Sequence, residues 1–413
     1  MKQQDERQKK QPLLGIWDDK KEWKNEIYSM WQQIFGDPEE FAQYYYKEMY
    51  AKNRVYTIWE EEMESEQFQE NQEVSIQQVD AKKLCGMIHL NPYQTKVQEE
   101  EMEIDYIVGV AVDETMRRRG IMRKMLQATM KEMQRKKMPF TFLMPANEAY
   151  YTPFDFRFVE DRFLWEVEFQ ESLFEDKFEF MPYEGSGEEK DLACFCDDFW
   201  KEFEIAPIRT KQYWQQMKEE LAAEQGEILL LKKEEQMCGY LTYAMEEDIP
   251  VVRELVTKEP VREIIQDFTK KKNCSRIKVY LDWFQNFQQQ SCEQDGKIKS
   301  ESIKTIPTIM FRILDVEAML TKFRGKNEGS LIFRLVDEFL PDNTGVYRWT
   351  VTKTNAILER VDQEEQVSQT FTMAQLTEKL FGYETYREQM VQEEEPFFEN
   401  LIPLSKIYIS EIV

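Results

Sequence analysis

The sequence predicts an α/β (α+β) protein in which a mixed central sheet flanked by helices is built twice and a smaller α+β unit follows. Three observations carry this. Strand-like apolar runs at 55–59, 84–90 and 106–112 lead into an amphipathic helix and then the short apolar run 139–144, giving the order strand, strand, strand, helix, strand. Residues 227–231, 237–243, 251–256, a helical stretch over 261–271 and 277–281 repeat that order, and Leu84-Cys85-Gly86-Met87 parallels Met237-Cys238-Gly239-Tyr240. From Met310 the pattern changes to a strand entering a helix (310–320), then strands at 330–336, 345–351 and 356–361 joined by Pro-Asp-Asn-Thr-Gly and Lys-Thr-Asn turns.

At 413 residues the chain exceeds what one core organises, and about 150 residues per domain suggests two or three units. The boundaries expected are 1–163, 164–295 and 296–413. Ahead of the first strand, Trp31, Ile34, Phe35, Phe41, Tyr44 and Tyr45 suggest two short helices after a polar tail, and Asn91-Pro92-Tyr93 is expected to end the middle strand. Thr372 and Gln375 form a capping box for a late helix that Gly382 can close. The apolar, β-branched stretch 404–413 reads as a strand-like tail that docks.

Chemistry concentrates where the third strand meets the first long helix. The run Val108-Gly-Val-Ala-Val-Asp-Glu-Thr-Met-Arg-Arg-Arg-Gly-Ile-Met122 is an apolar strand, a turn of three arginines and a glycine, and a helix start. A helix opening there offers unpaired backbone N–H groups and their partial positive charge to an anion in the turn. Arg117, Arg118 and Arg119 add bidentate donors suited to phosphate oxygens, and Gly120 allows close backbone approach. The helix itself is marked by Ile121, Met122, Met125, Leu126, Met130 and Met133 at three- and four-residue steps. The turn lacks the three glycines of a dinucleotide fingerprint and the Gly-Lys-Ser/Thr of a Walker loop. The matching turn of the second copy, Thr257-Lys-Glu-Pro260, has neither glycine nor arginine and is expected to hold no cofactor.

This strand and turn resemble the coenzyme A loop of the GNAT acetyltransferases, written Arg/Gln-x-x-Gly-x-Gly/Ala after Val-x-Val. Arg117 and Gly120 match, whereas Met122 stands where the family has a small residue. Downstream, Tyr151 with Phe154 and Phe156 is similar to the segment in which a tyrosine hydroxyl points at the thioester sulfur, although a slip of one residue would put Tyr150 there. With the chain's length and its end, the whole resembles the Eis (enhanced intracellular survival) type. That implies tandem GNAT folds followed by a sterol-carrier-like (SCP2-like) domain, and acetyl-CoA as cofactor. It also implies that Val110 and Val112 steady the pantetheine arm, that Arg117, Arg118, Arg119, Gly120, Ile121 and Met122 hold the pyrophosphate, and that Asn147 touches the cofactor near the thiol. Tyr151 becomes the general acid, and the α-carboxylate of Val413, threaded back into the first domain, the base. The expected acceptor is a cationic amine (aminoglycoside, polyamine or lysine side chain) bound among Trp31, Phe35 and the acidic N-terminal helices, and the expected assembly is a homo-oligomer, hexameric in Eis relatives. The alternative is a non-catalytic CoA- or lipid-binding regulatory protein that keeps the fold.

Composition bounds the rest. A formal charge of -25 repels nucleic acid and anionic membrane and attracts cations. The six cysteines show no paired spacing beyond one Cys-x-Cys, a reduced-compartment pattern, and no run approaches a membrane span. A cytoplasmic protein is expected. One histidine, His89, on an apolar strand leaves no imidazole pair for a zinc site and no triad, and it is expected half-buried and hydrogen-bonded.

Overall fold

The computed structural model describes residues 23–60, 83–170, 176–185, 189–282, 298–362, 366–381 and 396–411. The first unit opens with helices α1 (Lys24–Phe35) and α2 (Glu39–Tyr44), the latter running into a π-helical turn. Strands β1 (Arg54–Glu60), β2 (Lys83–Val97) and β3 (Glu100–Val112) then form an antiparallel meander. Helix α3 (Ile121–Arg135) crosses to β4 (Phe140–Leu143), which runs parallel to β3, and β5 (Arg157–Phe169) follows. Four side chains of α3, Met125, Leu126, Met130 and Met133, are at most 1% exposed against the sheet. Each contributes about 2 kcal/mol of apolar burial.

The second unit comprises β6 (Glu179–Pro182), α4 (Glu189–Trp200), β7 (Ile205–Pro207), α5 (Lys211–Ala223), β8 (Glu227–Lys233), β9 (Gln236–Glu246), β10 (Ile249–Thr257), α6 (Val261–Lys271) and β11 (Arg276–Leu281). Its meander β8-β9-β10, crossover α6 and parallel neighbour β11 reproduce the path of β1-β2-β3-α3-β4. Strand β12 (Ile298–Ile313) follows. The fifth strands are exchanged: β5 pairs with β11, and β12 pairs with β4, while β5 and β12 pair with each other. One continuous sheet results, in the order β1-β2-β3-β4-β12-β5-β11-β10-β9-β8-β6, with β7 added to β2. Residue 163 therefore lies inside a strand shared by both halves.

The last unit holds α7 (Val316–Leu320), β13 (Arg324–Gly325), β14 (Gly329–Val336), β15 (Gly345–Val351), β16 (Ala356–Arg360), β17 (Gln369–Thr372), α8 (Met373–Phe381), α9 (Pro396–Asn400) and β18 (Leu401–Ile402). A four-stranded sheet, β16-β15-β14-β17, packs Leu331, Phe333, Leu335 and Trp349 into its core. The capping box forms, with Thr372 Oγ1 accepting from Gln375 N at 3.2 Å and Thr372 N donating to Gln375 Oε1 at 2.9 Å; Gly382 lies outside the described residues.

Three local expectations are corrected. Strand β2 does not end at Pro92 but continues to Val97. Its partner β1 stops opposite Leu90 and β7 joins only at Thr95, so the N–H that Pro92 lacks faces a gap in the ladder. His89 is fully buried, its Nδ1 lying 3.2 Å from both the Tyr45 hydroxyl and Asn53 Nδ2. The tail docks without becoming a strand: one bridge joins Ile407 to Ile205, because β7 is three residues long and ends in a proline.

Candidate active site

Parallel strands β3 and β4 pair only at Tyr106 and Phe142 and then separate. Splayed parallel strands leave backbone N–H and C=O groups free to pair with an extended ligand instead of with each other. The second unit lacks this opening to the same degree, since β10 and β11 pair at two successive residues. Opposite the gap, β3 bulges: Gly109 and Val110 fall between the partners of His89 and Met87, and Gly109 takes φ +59°. A Cβ there would lie 2.4 Å from the Trp31 ring, so glycine is required by conformation and by space.

Around this gap lies a cavity of about 860 Å³, walled by Val108, Val110 and Val112 of β3, the start of α3, the 144–154 turns, and Trp31, Phe35, Asp37 and Phe41 from α1, α2 and the link between them. Gly120 precedes α3 at φ +77° and supplies no side-chain cap, and no acidic residue sits in the helix's first turn. Those first N–H groups face an open wall that includes Ile121 and Met122. All three arginines of the turn are exposed. Arg117 and Arg118 line the cavity, while Arg119 donates to Thr115 O at 3.2 Å. In the second unit the equivalent turn is closed by acid: Lys233 Nζ lies 2.6 Å from Glu259 Oε2, and Thr257 Oγ1 accepts from Glu259 N at 3.0 Å.

Tyr151 is half-buried on the cavity wall, its ring edge-on to Phe156 at 5.9 Å, and burial pushes its phenol up to about 12. Tyr150 borders the same cavity but is 58% exposed. Asn147 does not join them: its Oδ1 accepts from Ala149 N at 2.9 Å, capping its own turn, and the residue is exposed outside the cavity wall. Val413 lies outside the described residues, but the tail up to Glu411 is placed. Tyr408 Oη donates to Glu254 Oε1 at 2.8 Å and Ile409 N to Glu160 Oε2 at 3.2 Å, which steers the tail between the first two units.

Sequence reading missed several parts of the wall. Arg123 of α3 lies over the Phe154 and Phe339 rings at 5.8 and 5.3 Å. Asp37 accepts from Trp31 Nε1 at 2.7 Å, and burial raises its carboxyl. Gly109 carried a legible signal, a lone glycine inside an apolar strand; Asp37 carried none beyond following a helix-ending Gly36. Among the described residues, no group of His, Cys, Asp and Glu could hold a metal ion.

Residues 19–159 match the acetyltransferase (GNAT) domain family. The first unit is an acetyltransferase domain of the GNAT type. Solved structures extend the likeness of fold to nearly the whole chain. A GCN5-related N-acetyltransferase from Anabaena variabilis is 16% identical with a TM-score of 0.69, covering 97% of this chain and 98% of that one. A protein of Enterococcus faecalis described as a probable N-acyltransferase is 13% identical, with a TM-score of 0.69 and coverage of 95% and 94%. The Eis1 protein of Mycobacterium abscessus is 12% identical, with a TM-score of 0.64 and coverage of 97% and 99%. No curated protein matches the sequence. The GNAT domain makes this protein an acyltransferase enzyme, built on a mixed sheet consistent with a tandem GNAT-type fold.

Proposed function

We propose that the protein is an acetyl-CoA-dependent N-acetyltransferase that acetylates a primary amine of a cationic acceptor by direct attack. The observation carrying this is the parting of β3 from β4 over a cavity that ends at an uncapped helix N-terminus beside Arg117 and Arg118. Acetyl-CoA fits that geometry: the splayed backbone of Val110 and Val112 suits a pantetheine arm, and Arg117 to Met122 suit a pyrophosphate. The cofactor supplies an acetyl group activated as a thioester, with sulfur as the leaving atom. Tyr151 stays protonated at neutral pH and donates its proton to that sulfur. An amine of ordinary pKa near 10 arrives protonated, so a carboxylate must accept its proton; the family resemblance gives that role to Val413, which lies outside the described residues.

The acceptor side is the wall of Trp31, Phe35 and Asp37, where aromatic rings and a carboxylate suit an ammonium group. The last unit takes the sterol-carrier-like form with a packed core and serves the site structurally. Its Asp337 accepts from Arg312 Nη2 at 2.7 Å while Arg312 Nε donates to Phe154 O at 2.9 Å, tying it to the Tyr151 turn. A homo-oligomer, a hexamer as in Eis relatives, and a cytoplasmic setting complete the reading; sedimentation tests the first. Calorimetry with acetyl-CoA followed by thiol release across kanamycin, spermidine and lysine methyl ester tests the function. Arg118→Glu raises the acetyl-CoA KM about tenfold or more with an unchanged melting curve; unchanged kinetics would remove the loop assignment.

A further inference from the structure

Each meander is preceded by two helices that carry aromatic rings: Trp31, Phe35 and Phe41 ahead of β1, and Trp200, Tyr213 and Trp214 ahead of β8. In the second unit these rings surround a cation of the chain itself. The Arg209 guanidinium lies 4.3 Å over the Tyr213 ring, 5.3 Å over Trp200 and 5.6 Å over Trp214, and its Nη2 donates to Glu254 Oε1 at 2.7 Å. Glu254 follows the bulge of β10 at Arg253, just as Gly109 and Val110 form the bulge of β3. Both charged side chains are buried, and each neutralises the other among the rings. The first unit has the rings and a carboxylate but places a different group between them and the sheet, namely the cavity. Trp31 stacks on Tyr45 at 4.5 Å and meets Phe35 at 4.9 Å, and its Nε1 donates to Asp37 Oδ2 at 2.7 Å, so the ring and the carboxylate are fixed together. No Lys or Arg among the described residues pairs with Asp37.

Among the described residues that wall the cavity, Asp37 is the one acid. The cations Arg117, Arg118 and Arg123 stand at the α3 end, and the wall near Asp37 is hydrocarbon and aromatic ring. A polyamine or aminoglycoside here would match one ammonium to Asp37 and press its other charges against apolar groups or toward the arginines, where no described residue compensates them. An amine with one charge meets no such penalty, and an apolar body gains by leaving water for Trp31, Phe35 and Phe41. The molecular charge of -25 raises the encounter rate of every cation, so selection falls to this wall.

We propose that the acceptor is a primary monoamine with an aromatic or apolar body, its ammonium against Asp37 and its body against Trp31, Phe35 and Phe41. This rests on the acetyltransferase reading and narrows the class of amine that the same site takes. The chemistry is unchanged by the choice. The ammonium releases one proton to solvent before attack, and the nitrogen–carbon bond forms as the carbon–sulfur bond breaks. The second proton lost by nitrogen balances the one gained by sulfur, leaving an amide and a free thiol. Asp37 serves as a positioning and specificity residue, since it holds the charge of the incoming amine and orients the Trp31 ring beneath the body.

Full-length protein is assayed by thiol release from acetyl-CoA at about 0.15 M salt with phenethylamine, tryptamine, spermidine and kanamycin. The two arylalkylamines are expected to show kcat/KM about tenfold or more above the two polycations. Asp37→Asn keeps an oxygen that accepts from Trp31 Nε1, so it should leave the melting curve and the acetyl-CoA KM unchanged while raising the phenethylamine KM about tenfold or more. Phe35→Ala removes a ring that is 40% exposed, so the fold is kept, and it should shrink the preference for phenethylamine over spermidine. A preference for spermidine or kanamycin in the parent enzyme overturns the proposal, as does an Asp37→Asn enzyme with an unchanged phenethylamine KM. Calorimetry with phenethylamine, on the protein alone and with CoA added, reads the site without turnover. Saturable heat that Asp37→Asn abolishes supports the proposal, and no heat in either titration overturns it. Failure of acetyl-CoA itself to bind would strike the acetyltransferase reading, and the phenethylamine titration would still judge the amine site.

Discussion

Tyr151 and Gly109 show how much one residue carries at this site. Burial pushes the Tyr151 phenol up to about 12, so it stays protonated across the neutral range, and as the proposed acid it is expected to give the rate no alkaline limb there. Tyr151→Phe is expected to lower kcat roughly a hundredfold with acetyl-CoA affinity intact, while Tyr150→Phe, which alters an exposed ring, stays close to the parent rate. The reverse outcome would move the acid by one position. Gly109→Ala places a Cβ 2.4 Å from Trp31 at a φ of +59°. It should destabilise the fold by about 1–3 kcal/mol and weaken acetyl-CoA binding, read by thermal melts and calorimetry. The basic turn and the tyrosine were legible in sequence because their residue types are themselves the chemistry. Asn147 was legible only as a polar residue in the right segment; the backbone N–H of Ala149 takes its carbonyl oxygen, a competition common for asparagine in turns.

At the scale of elements, the helix and strand pattern followed the hydrophobic periods closely, and the exceptions have physical causes. β2 passes through Pro92 because no neighbour needs that N–H, and the tail fails to become a strand because β7 offers too short an edge. What locks the Tyr151 turn is an element far along the chain. Arg312, at the end of β12, is fully buried between Phe154 O and the Asp337 carboxylate, and Asp337 also accepts from Phe339 N, Leu340 N and Asn343 Nδ2. Arg312→Met leaves a buried carboxylate without its cation, and a loss of about 3–5 kcal/mol is expected in denaturant melts. Because Phe154 then loses its anchor, kcat should fall more than the acetyl-CoA affinity does.

For the molecule as a whole, exchange of β5 and β12 makes the two GNAT-type halves one sheet. Residues 1–163 expressed alone would lack β12, the partner that separates β4 from β5, and would end inside β5. Such a fragment is expected not to fold, whereas residues 1–320 within the full chain should melt in a single calorimetric transition. A cooperative melt of the short fragment would show the halves to be independent. The molecular charge of -25 belongs to this scale too. It predicts that the KM for a polyamine acceptor rises with ionic strength, as screening at 0.15 M confines attraction to about 8 Å.

The sequence by itself determined the class of fold, the repeated strand order and the basic turn before α3, because periodicity and residue type act locally and survive without knowledge of partners. Only the tertiary structure decided which strand pairs with which, that β3 and β4 part above the cavity, and that Glu411 of the tail meets Tyr213 of α5. Those groups lie on strands, a helix and a tail separated by up to hundreds of residues, and no spacing rule links positions that only packing brings together.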